Sequence, residues 1–267
     1  MALNNIHPNA KLGKNVIVES FTSIAEHVEI GEGTWIGPNV TIMNYVKIGK
    51  NCKIYPGAVV GGEPQDLKFN DEITHVEIGD NTTLREYVTV NRGTAASGKM
   101  LTKIGNNCLL MSYTHVAHDC CVGNNVILAS FVGLAGEVEV FDHAIIGGSS
   151  GAHQFSRVGA HAMLSGGSMF SKDVPPYALA GRRPLSFGGV NIIGLRRRGF
   201  SNEQIQLIGD IYKVIYYSGF NTSDACKKVE ETFSASPERD TILEFIRNSK
   251  RGVIRAVTNS NNAEDEE

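Results

Sequence analysis

The chain has 267 residues, of which 42% are hydrophobic, and this allows one large globular domain or two smaller ones. Its formal net charge of -3 argues against a nucleic-acid-binding protein, because binding along phosphate backbones needs a concentrated basic surface. Five cysteines, without a CxxC pair or zinc-ligand spacing, speak against a disulfide framework and a structural metal, and favour a reducing compartment.

The amino-terminal residues carry none of the features of a targeting segment. Residues 1–8 lack the basic flank and the long apolar run of a signal peptide. No stretch approaches the roughly 18 apolar residues that a membrane-spanning helix needs. The sequence therefore predicts a cytoplasmic protein without a membrane span.

Aliphatic residues recur at every sixth position over most of the chain. The series covers residues 6–60, resumes over 78–90 and, after a shift of two positions, runs over 104–170. A helix repeats its apolar side chains every 3.6 residues and a half-buried strand every 2, so a period of six requires short parallel strands joined by regular corners. The sequence predicts a mainly β fold, a three-sided parallel β-helix with about 18 residues per coil. Glycine and asparagine, which often follow the aliphatic residue, suit left-handed backbone at the corners.

Two insertions, at 61–77 and 95–103, interrupt the period. A solenoid tolerates insertions at its corners, and corner loops often carry binding residues. We expect a binding role for the first insertion. The second is expected to be an ordinary solvent-exposed corner loop.

The pattern changes after residue 173. Pro175 and Pro176 stop strand pairing because proline lacks a backbone donor. Ser201 and Gln204 then form a capping pattern before an apolar series at helical spacing, which ends near Gly219.

Two further helices are expected, one at about 222–233 with Thr222 or Ser223 as its cap, and one at 238–249. The sequence thus predicts three regions, which are a β-helix over 1–183, a helical domain over 184–258 and a disordered acidic tail over 259–267.

The residue types around His118 suit acid–base chemistry. His115 lies three residues earlier, and Asp119 follows directly. Histidine can take up a proton near neutral pH, and a neighbouring carboxylate can orient the ring and raise its basicity. In an 18-residue register, Gly136 lies one coil above His118 and Gln154 one coil further. Glycine at such a position leaves space beside the ring and lets a ligand approach the backbone N–H, which can stabilise an oxyanion. Glycine is also common at ordinary corners of such a fold, so this alternative stays open.

Arg196, Arg197 and Arg198 form a local basic run. Such a run is more often a solvated face than a phosphate site, although guanidinium groups supply the paired donors that a phosphate needs.

Several segments are distinctive beyond the repeat itself. They are Gln65–Lys68, His115–Cys120, Ile145–Gly148, His153–Phe155, Asp173–Tyr177, Gly188–Asn191 and Arg196–Phe200. Together they closely resemble the UDP-N-acetylglucosamine O-acyltransferases of lipid A biosynthesis, over nearly the whole chain to about Arg255. The resemblance implies a left-handed β-helix, although the general rule for crossovers favours the right hand. It also implies a homotrimer with active sites between subunits.

The resemblance implies the first step of lipid A synthesis, in which a 3-hydroxyacyl chain passes from acyl carrier protein to the 3-hydroxyl of UDP-N-acetylglucosamine. The phosphopantetheine of the carrier protein is the only prosthetic group implied. His118 would act as the general base, Asp119 would steady its imidazole, and the N–H of Gly136 would hold the oxyanion. The residues implied to bind substrate are Asp66, Lys68, His115, His153, Gln154, Asn191 and Arg197, and Gly166 would help to set the acyl length.

Two departures from the family pattern leave the acceptor open. Glu137 stands where better-known members carry histidine, and Ile193 stands where some carry an acidic residue. A 3-amino sugar analogue therefore remains an alternative acceptor. The sister N-acyltransferase begins with a uridine-binding domain, for which repeats that start at Ile6 leave no room. A zinc-dependent hydratase using His115 and His118, and a noncatalytic scaffold, are further alternatives.

Cys120 and Cys121 are expected to pack rather than react, because the sugar attacks directly in this family. An acidic carrier protein also needs a basic docking surface. Arg157, Lys172 and the arginine run at 196–198 are the candidates.

Overall fold

The computed structural model describes residues 3–257, which form a left-handed parallel β-helix followed by a helical region. The predicted fold class is confirmed. The tail predicted at 259–267 lies outside the described residues. Among residues 3–257, none of the helices combines the length and the apolar character that crossing a membrane requires.

Three sheets form the sides of the β-helix, and the chain visits them in turn. Sheet A consists of β1 (Asn5–Ile6), β4 (Ser23–Ile24), β7 (Thr41–Ile42), β10 (Val59–Gly62), β13 (Thr89–Asn91), β16 (His115–Val116), β19 (Gly133–Leu134), β22 (Gly151–Ala152) and β25 (Met169–Phe170). Sheet B consists of β2 (Lys11–Leu12), β5 (Val28–Ile30), β8 (Val46–Ile48), β11 (His75–Ile78), β14 (Leu101–Ile104), β17 (Cys121–Val122), β20 (Glu139–Val140) and β23 (Arg157–Val158). Sheet C consists of β3 (Ile17–Val18), β6 (Trp35–Ile36), β9 (Lys53–Ile54), β12 (Thr83–Leu84), β15 (Leu109–Leu110), β18 (Ile127–Leu128), β21 (Ile145–Ile146), β24 (Met163–Leu164), β26 (Ala178–Gly181) and β27 (Ser186–Val190). We call the corners AB, BC and CA edges, after the sheets that they join.

The core of the β-helix is a set of aliphatic columns, one for each sheet. In sheet A, Ile24, Ile42, Val60, Val90 and Val116 occupy successive coils in parallel register. All five side chains are almost fully buried. Each such burial is worth roughly 1.5–3 kcal/mol relative to exposure, so the six-residue period is maintained by the hydrophobic effect.

Glycine and asparagine at the corners turn out to have different roles. Asn51 and Asn107 adopt the predicted left-handed backbone, with φ of 53° and 55°. Gly31 and Gly105 have no such φ, but a Cβ added to either would lie 2.5 Å from backbone atoms of the next coil. Glycine at these positions is therefore required by close approach between coils, and the expectation that it serves the left-handed conformation was wrong there.

Up to residue 257, the carboxyl-terminal region consists of a hairpin followed by four helices. β27 pairs antiparallel with β26 and so extends sheet C, within the range predicted to be helical. The helices are α1 (Ile192–Arg197), α2 (Asn202–Tyr217), α3 (Thr222–Thr232) and α4 (Pro237–Arg247). The capping box of Ser201 and Gln204 is confirmed, whereas α3 is capped by Asn221 and not by Thr222 or Ser223.

A buried clasp joins the β-helix to the end of α4. The carboxylate of Asp173 accepts hydrogen bonds from the backbone N–H of Arg157 at 2.9 Å and from the hydroxyl of Ser249 at 2.6 Å. The guanidinium of Arg157 lies over the rings of Phe141 and Phe245. Arg157 is thus a packing residue in this structure.

Candidate active site

Both insertions and the His118 corner lie on the same AB edge. The first insertion connects β10 to β11 and the second connects β13 to β14, and each link passes from sheet A to sheet B. His118 follows β16, one coil above the second insertion. The topology therefore concentrates three polar segments of the sequence on one edge of the prism.

The His118 ring is held by a buried carboxylate. Its Nδ1 lies 2.8 Å from Oδ2 of Asp119, and the two residues are 8% and 0% exposed. Because an ionised carboxylate can only accept, Nδ1 carries the proton and Nε2 keeps a lone pair. This is the tautomer in which Nε2 can act as a base.

Thr94, at the entrance to the second insertion, holds Asp119 in turn. Its backbone N–H donates to the two carboxylate oxygens at 2.9 and 3.1 Å, and its hydroxyl donates to Oδ2 at 2.7 Å. The backbone N–H of Asp119 donates to the hydroxyl of Thr102 at 2.8 Å. Residues 95, 96 and 98–100 of the second insertion are solvent-exposed, as expected. The residues at its two ends, Thr94 and Thr102, nevertheless hold Asp119.

The surroundings of Asp119 keep it ionised. Burial acts to raise the pKa of the carboxyl, but hydrogen bonds from Ser97, Thr94 and His118 together outweigh burial and leave the pKa below its ordinary value. The carboxylate therefore stays negative near neutral pH, as orientation of an imidazole requires.

Gly136 lies directly against the His118 ring, as the 18-residue register predicts. A Cβ added to Gly136 would lie 2.4 Å from both Cε1 and Nε2 of His118. The backbone N–H of Gly136 has no backbone acceptor within residues 3–257. At the equivalent corner position the N–H of Asn124 donates to the Asp142 carboxylate at 2.8 Å. An unpaired N–H next to Nε2 is thus available to a ligand.

Asp66, which belongs to the first insertion, lies next to the His118 ring. Its Oδ2 lies 3.9 Å from Nε2 of His118, on the side of the ring opposite Nδ1. Its other oxygen accepts the backbone N–H of Lys68 at 3.0 Å, and the Lys68 side chain is exposed.

His115 borders an open strip on the outer face of sheet A. Its Nδ1 lies 2.7 Å from the hydroxyl of Thr89, and burial, followed by the nearby His118, lowers its pKa. The two outward positions above it are Gly133 and Gly151. A Cβ on Gly133 would meet no atom within 4 Å, so this part of the sheet surface is uncovered.

The remaining predicted site residues lie on all three edges. His153 and Gln154 follow β22 on the AB edge, two coils above His118. Gly166 follows β24 on the CA edge. Asn191 lies at the BC edge, where its amide donates to the backbone of His161 at 3.0 Å and accepts the N–H of Gly194 at 3.2 Å.

Arg197 is exposed on α1, whose amino-terminal cap is Asn191. A single chain therefore brings together Asp66, His118, Asp119 and Gly136, and leaves Gly166, Asn191 and Arg197 on other edges. Among residues 3–257, no group of three or more His, Cys, Asp or Glu side chains is placed to hold a metal ion.

Replacing Thr94 by valine tests its support of Asp119. The valine variant keeps the shape of the side chain and the hydrogen bonds from the backbone N–H of residue 94 to Asp119. It loses the 2.7 Å hydrogen bond from the threonine hydroxyl to the Asp119 carboxylate. A lost buried hydrogen bond to a charged group costs about 1.5–3 kcal/mol, so we expect lower thermal stability and a several-fold lower rate of the site's reaction. Thr94→Ser, which retains the hydroxyl, should restore both. A normal rate in the valine variant would exclude a positioning role.

The Cys120 thiol is expected to take no part in the reaction. Burial raises the pKa of the Cys120 thiol to about 12, and its side chain is fully buried. A buried thiol of this kind is unreactive. We expect Cys120→Ala to retain most of the activity, measured as kcat. A hundredfold loss in a correctly folded variant would instead indicate covalent catalysis.

The sequence matches two family profiles. Residues 173–254 match the profile described as Udp N-acetylglucosamine O-acyltransferase, domain 2, and residues 27–62 and 101–136 match bacterial transferase hexapeptide repeats. Together the profiles span both the solenoid and the region after it.

Similar proteins align over almost the full chain. An acyl-[acyl-carrier-protein]–UDP-N-acetylglucosamine O-acyltransferase of Thermodesulfovibrio yellowstonii is 41% identical over 95% of this chain and 100% of its own length. An enzyme of the same description from a Sulfurihydrogenibium species is 48% identical over 93% of each chain. The crystal structure of a UDP-N-acetylglucosamine acyltransferase from Bacteroides fragilis has a TM-score of 0.93 at 52% identity, covering 96% of this chain and 99% of that one.

Proposed function

The chain belongs to the UDP-N-acetylglucosamine O-acyltransferase family, and from that premise we propose how its AB edge performs the reaction. The reaction is the transfer of an acyl chain from acyl carrier protein to UDP-N-acetylglucosamine in the first step of lipid A synthesis. Our assignment of the catalytic centre rests on one observation, the close contact between Nε2 of His118 and Gly136.

In this mechanism His118 is the general base. Its Nε2 removes the proton from the sugar 3-hydroxyl while the sugar oxygen attacks the thioester carbonyl carbon, and a C–O bond forms. The carbonyl oxygen becomes an oxyanion, which accepts a hydrogen bond from the N–H of Gly136. The oxyanion then collapses, the C–S bond breaks, and the imidazolium returns its proton to the leaving thiolate.

Asp119 keeps His118 in the productive tautomer, and Asp119→Asn tests this. An asparagine amide can donate to Nδ1, which would place the ring proton on Nε2 and remove the base. We expect kcat to fall by at least about 100-fold, the scale of losing the general base itself. Steady-state kinetics with a melting curve of each variant provide the measurement. An unchanged kcat would show that Asp119 does not set the tautomer.

We assign the remaining candidates to substrate binding. Asp66 and Lys68, on the first insertion, are assigned to the acyl hydroxyl and the diphosphate, and His115 and His153 are assigned to the sugar. Gln154, Asn191 and Arg197 are assigned to the uridine diphosphate, and Gly166 to the acyl length.

A homotrimer explains why these residues lie on different edges. Asn191 and Arg197 at the BC edge and Gly166 at the CA edge are remote from His118 by topology, so a neighbouring subunit would have to complete each site. The CA edge also carries an exposed stack of Tyr87 and Tyr113 at 5.1 Å, continued by Phe131. Exposed aromatic surface of this kind favours subunit contact. Light scattering should give three chains per particle, and a monomer with full activity would contradict the assignment.

The cellular location is also inferred. All five cysteines are free, and such thiols persist in a reducing cytoplasm. The nucleotide sugar and the carrier protein would be met in the same compartment.

Mass spectrometry of the product tests the chemistry. The purified protein is incubated with UDP-N-acetylglucosamine and a series of 3-hydroxyacyl carrier proteins, and the acylated sugar nucleotide is identified. We expect an ester that mild base removes. An amide formed only with a 3-amino sugar would favour the alternative acceptor, for which Glu137 beside Gly136 is the relevant departure. Absence of product with either sugar would contradict the proposed function.

A further inference from the structure

The first insertion has no helix or strand over residues 63–74, and one short segment of the next coil holds it in place. Its hydrogen bonds and charge contacts to the rest of the described chain go to residues 91–95 and to His118. The segment 91–95 begins at the last residue of β13, which pairs with β10 directly before the insertion. Because a loop without regular structure is mobile unless it is tied down, this segment fixes where the insertion lies.

Arg92 is the central residue of this contact. Its guanidinium lies 5.1 Å from the centre of the Phe69 ring and 6.0 Å from the centre of the Tyr45 ring, and its side chain is only 11% exposed. Tyr45 belongs to the coil below. The backbone N–H of Arg92 donates to the carbonyl of Gly62 at 2.9 Å. Arg92 thus contacts the insertion at its start and again near its middle.

The polar bonding of this guanidinium is incomplete. The carboxylate of Glu63 lies 3.8 Å away on an exposed side chain, and Nε of Arg92 is buried without a hydrogen-bond partner among residues 3–257. Arg157, which also lies over two rings, has a closer carboxylate in Glu139 at 3.2 Å. A buried cation with few polar partners lowers stability, and aromatic faces compensate only in part. Stability alone therefore explains Arg92 poorly.

Phe69 connects Arg92 to Asp66. The two residues close a turn in which the N–H of Phe69 donates to the carbonyl of Asp66 at 3.0 Å. In the same turn the N–H of Lys68 donates to one oxygen of the Asp66 carboxylate, and the other oxygen lies 3.9 Å from Nε2 of His118. A displacement of the Phe69 ring would therefore carry Asp66 away from His118.

Glu72 ties the far end of the insertion to the same segment. One oxygen of its carboxylate accepts the backbone N–H of Ala95 at 2.9 Å. Hydrogen bonds from backbone N–H groups, that of Ala95 foremost, hold the pKa of Glu72 below its ordinary value, so the carboxylate stays ionised near neutral pH. Thr94, which holds Asp119, is the neighbour of Ala95. The segment 91–95 thus supports the insertion and the catalytic carboxylate together.

We propose that Arg92 is a positioning residue, which holds Asp66 where it selects a hydroxylated acyl chain. This inference rests on the proposed function, because it takes Asp66 as the contact of the acyl hydroxyl. Arg92 acts through the Phe69 ring and the turn that follows from it, without touching the substrate. Loss of the guanidinium should therefore affect donors that carry a 3-hydroxyl and spare donors that lack one.

Arg92→Gln tests this role with matched donors. The measurement is kcat/KM at saturating sugar nucleotide, for a 3-hydroxyacyl carrier protein and for the same acyl chain without the hydroxyl. We expect the ratio of the two values to fall at least tenfold, the scale of losing a hydrogen bond to a charged group, with the value for the unhydroxylated donor little changed. A general folding defect would lower both values alike. Arg92→Lys keeps a cation beside the rings and should retain most of the ratio.

Three further variants separate positioning from stability. Phe69→Leu removes the ring between Arg92 and the turn, and it should lower the same ratio. Adding Arg92→Gln to Asp66→Ala should lower the ratio no further than Asp66→Ala does alone, because both changes remove one contact. Arg157→Gln removes another arginine that lies over two rings, outside the insertion, and should leave the ratio unchanged.

The outcomes distinguish this role from the function on which it rests. An unchanged ratio in Arg92→Gln, together with a lowered ratio in Asp66→Ala, would overturn the positioning role. An unchanged ratio in Asp66→Ala would refute the contact of Asp66 with the acyl hydroxyl, and the role of Arg92 with it. If the parent protein transfers no acyl group from either donor, the proposed function itself fails.

Discussion

His118→Ala is expected to lower kcat/KM for acyl transfer by at least a hundredfold while the β-helix stays folded. A general base typically contributes 10²- to 10⁴-fold, and Nε2 of His118 is the nitrogen left free by the bond from Nδ1 to Asp119. The side chain lies at a corner and not among the aliphatic columns, so the β-helix should stay folded. Loss of the bond to the buried Asp119 carboxylate should nevertheless lower the thermal stability about as much as Thr94→Val does. The measurement is steady-state kinetics with a saturating sugar nucleotide, together with a thermal melt.

His7→Ala is the matched control for this variant. His7 follows β1 on the same AB edge, five coils below His118, and is part of no contact that we assign to the reaction. Its replacement should leave kcat/KM unchanged. A His118→Ala enzyme with a near-normal rate would remove this imidazole from the mechanism.

Gly136→Ala is expected to have an effect of similar size from the addition of one methyl group. The new Cβ would lie 2.4 Å from Nε2 and Cε1 of His118, a distance at which one group must move. The ring cannot shift without lengthening its bond to Asp119, and the methyl also occupies space next to the N–H assigned to the oxyanion. We expect kcat to fall by about a hundredfold, the scale of losing an oxyanion donor.

The combined variant separates this explanation from a general folding defect. If Gly136→Ala acts through His118 and the oxyanion, adding it to His118→Ala should reduce kcat much less than it does alone. Gly209→Ala, on α2 where an added Cβ meets no atom within 4 Å, should retain full activity. Additive losses in the combined variant would show that the two residues act independently.

The β-helix was predictable from the sequence because the same requirement, burial of an aliphatic side chain, applies at every coil. Burial of an aliphatic side chain at each sixth position defines the three-sided column, and the same register places Gly136 beside His118. The relation between these two residues was thus predictable from spacing alone. Glycine at Gly31 and Gly105 was assigned correctly to corners but for the wrong reason, since contact between adjacent coils is not visible in a single turn of sequence.

The support of Asp119 could not be predicted from the sequence. Thr94 lies 25 residues before Asp119, and its hydroxyl reaches the carboxylate only because an insertion folds back over the next coil. No local pattern marks a threonine for this role. The edge on which Asn191 and Arg197 lie was likewise not predictable from spacing, because both residues follow the end of the repeat. Gly166 lies within the repeat, and the 18-residue register already places it outside the His118 column.

The proposed mechanism requires that Nε2 of His118 faces the acceptor hydroxyl beside Gly136. A crystal structure of the protein with bound UDP-N-acetylglucosamine would show this directly. We expect the 3-hydroxyl oxygen to lie within about 2.6–3.2 Å of Nε2, in hydrogen-bonding reach. A sugar bound on another edge, or with a different group nearest its 3-hydroxyl, would exclude His118 as the base.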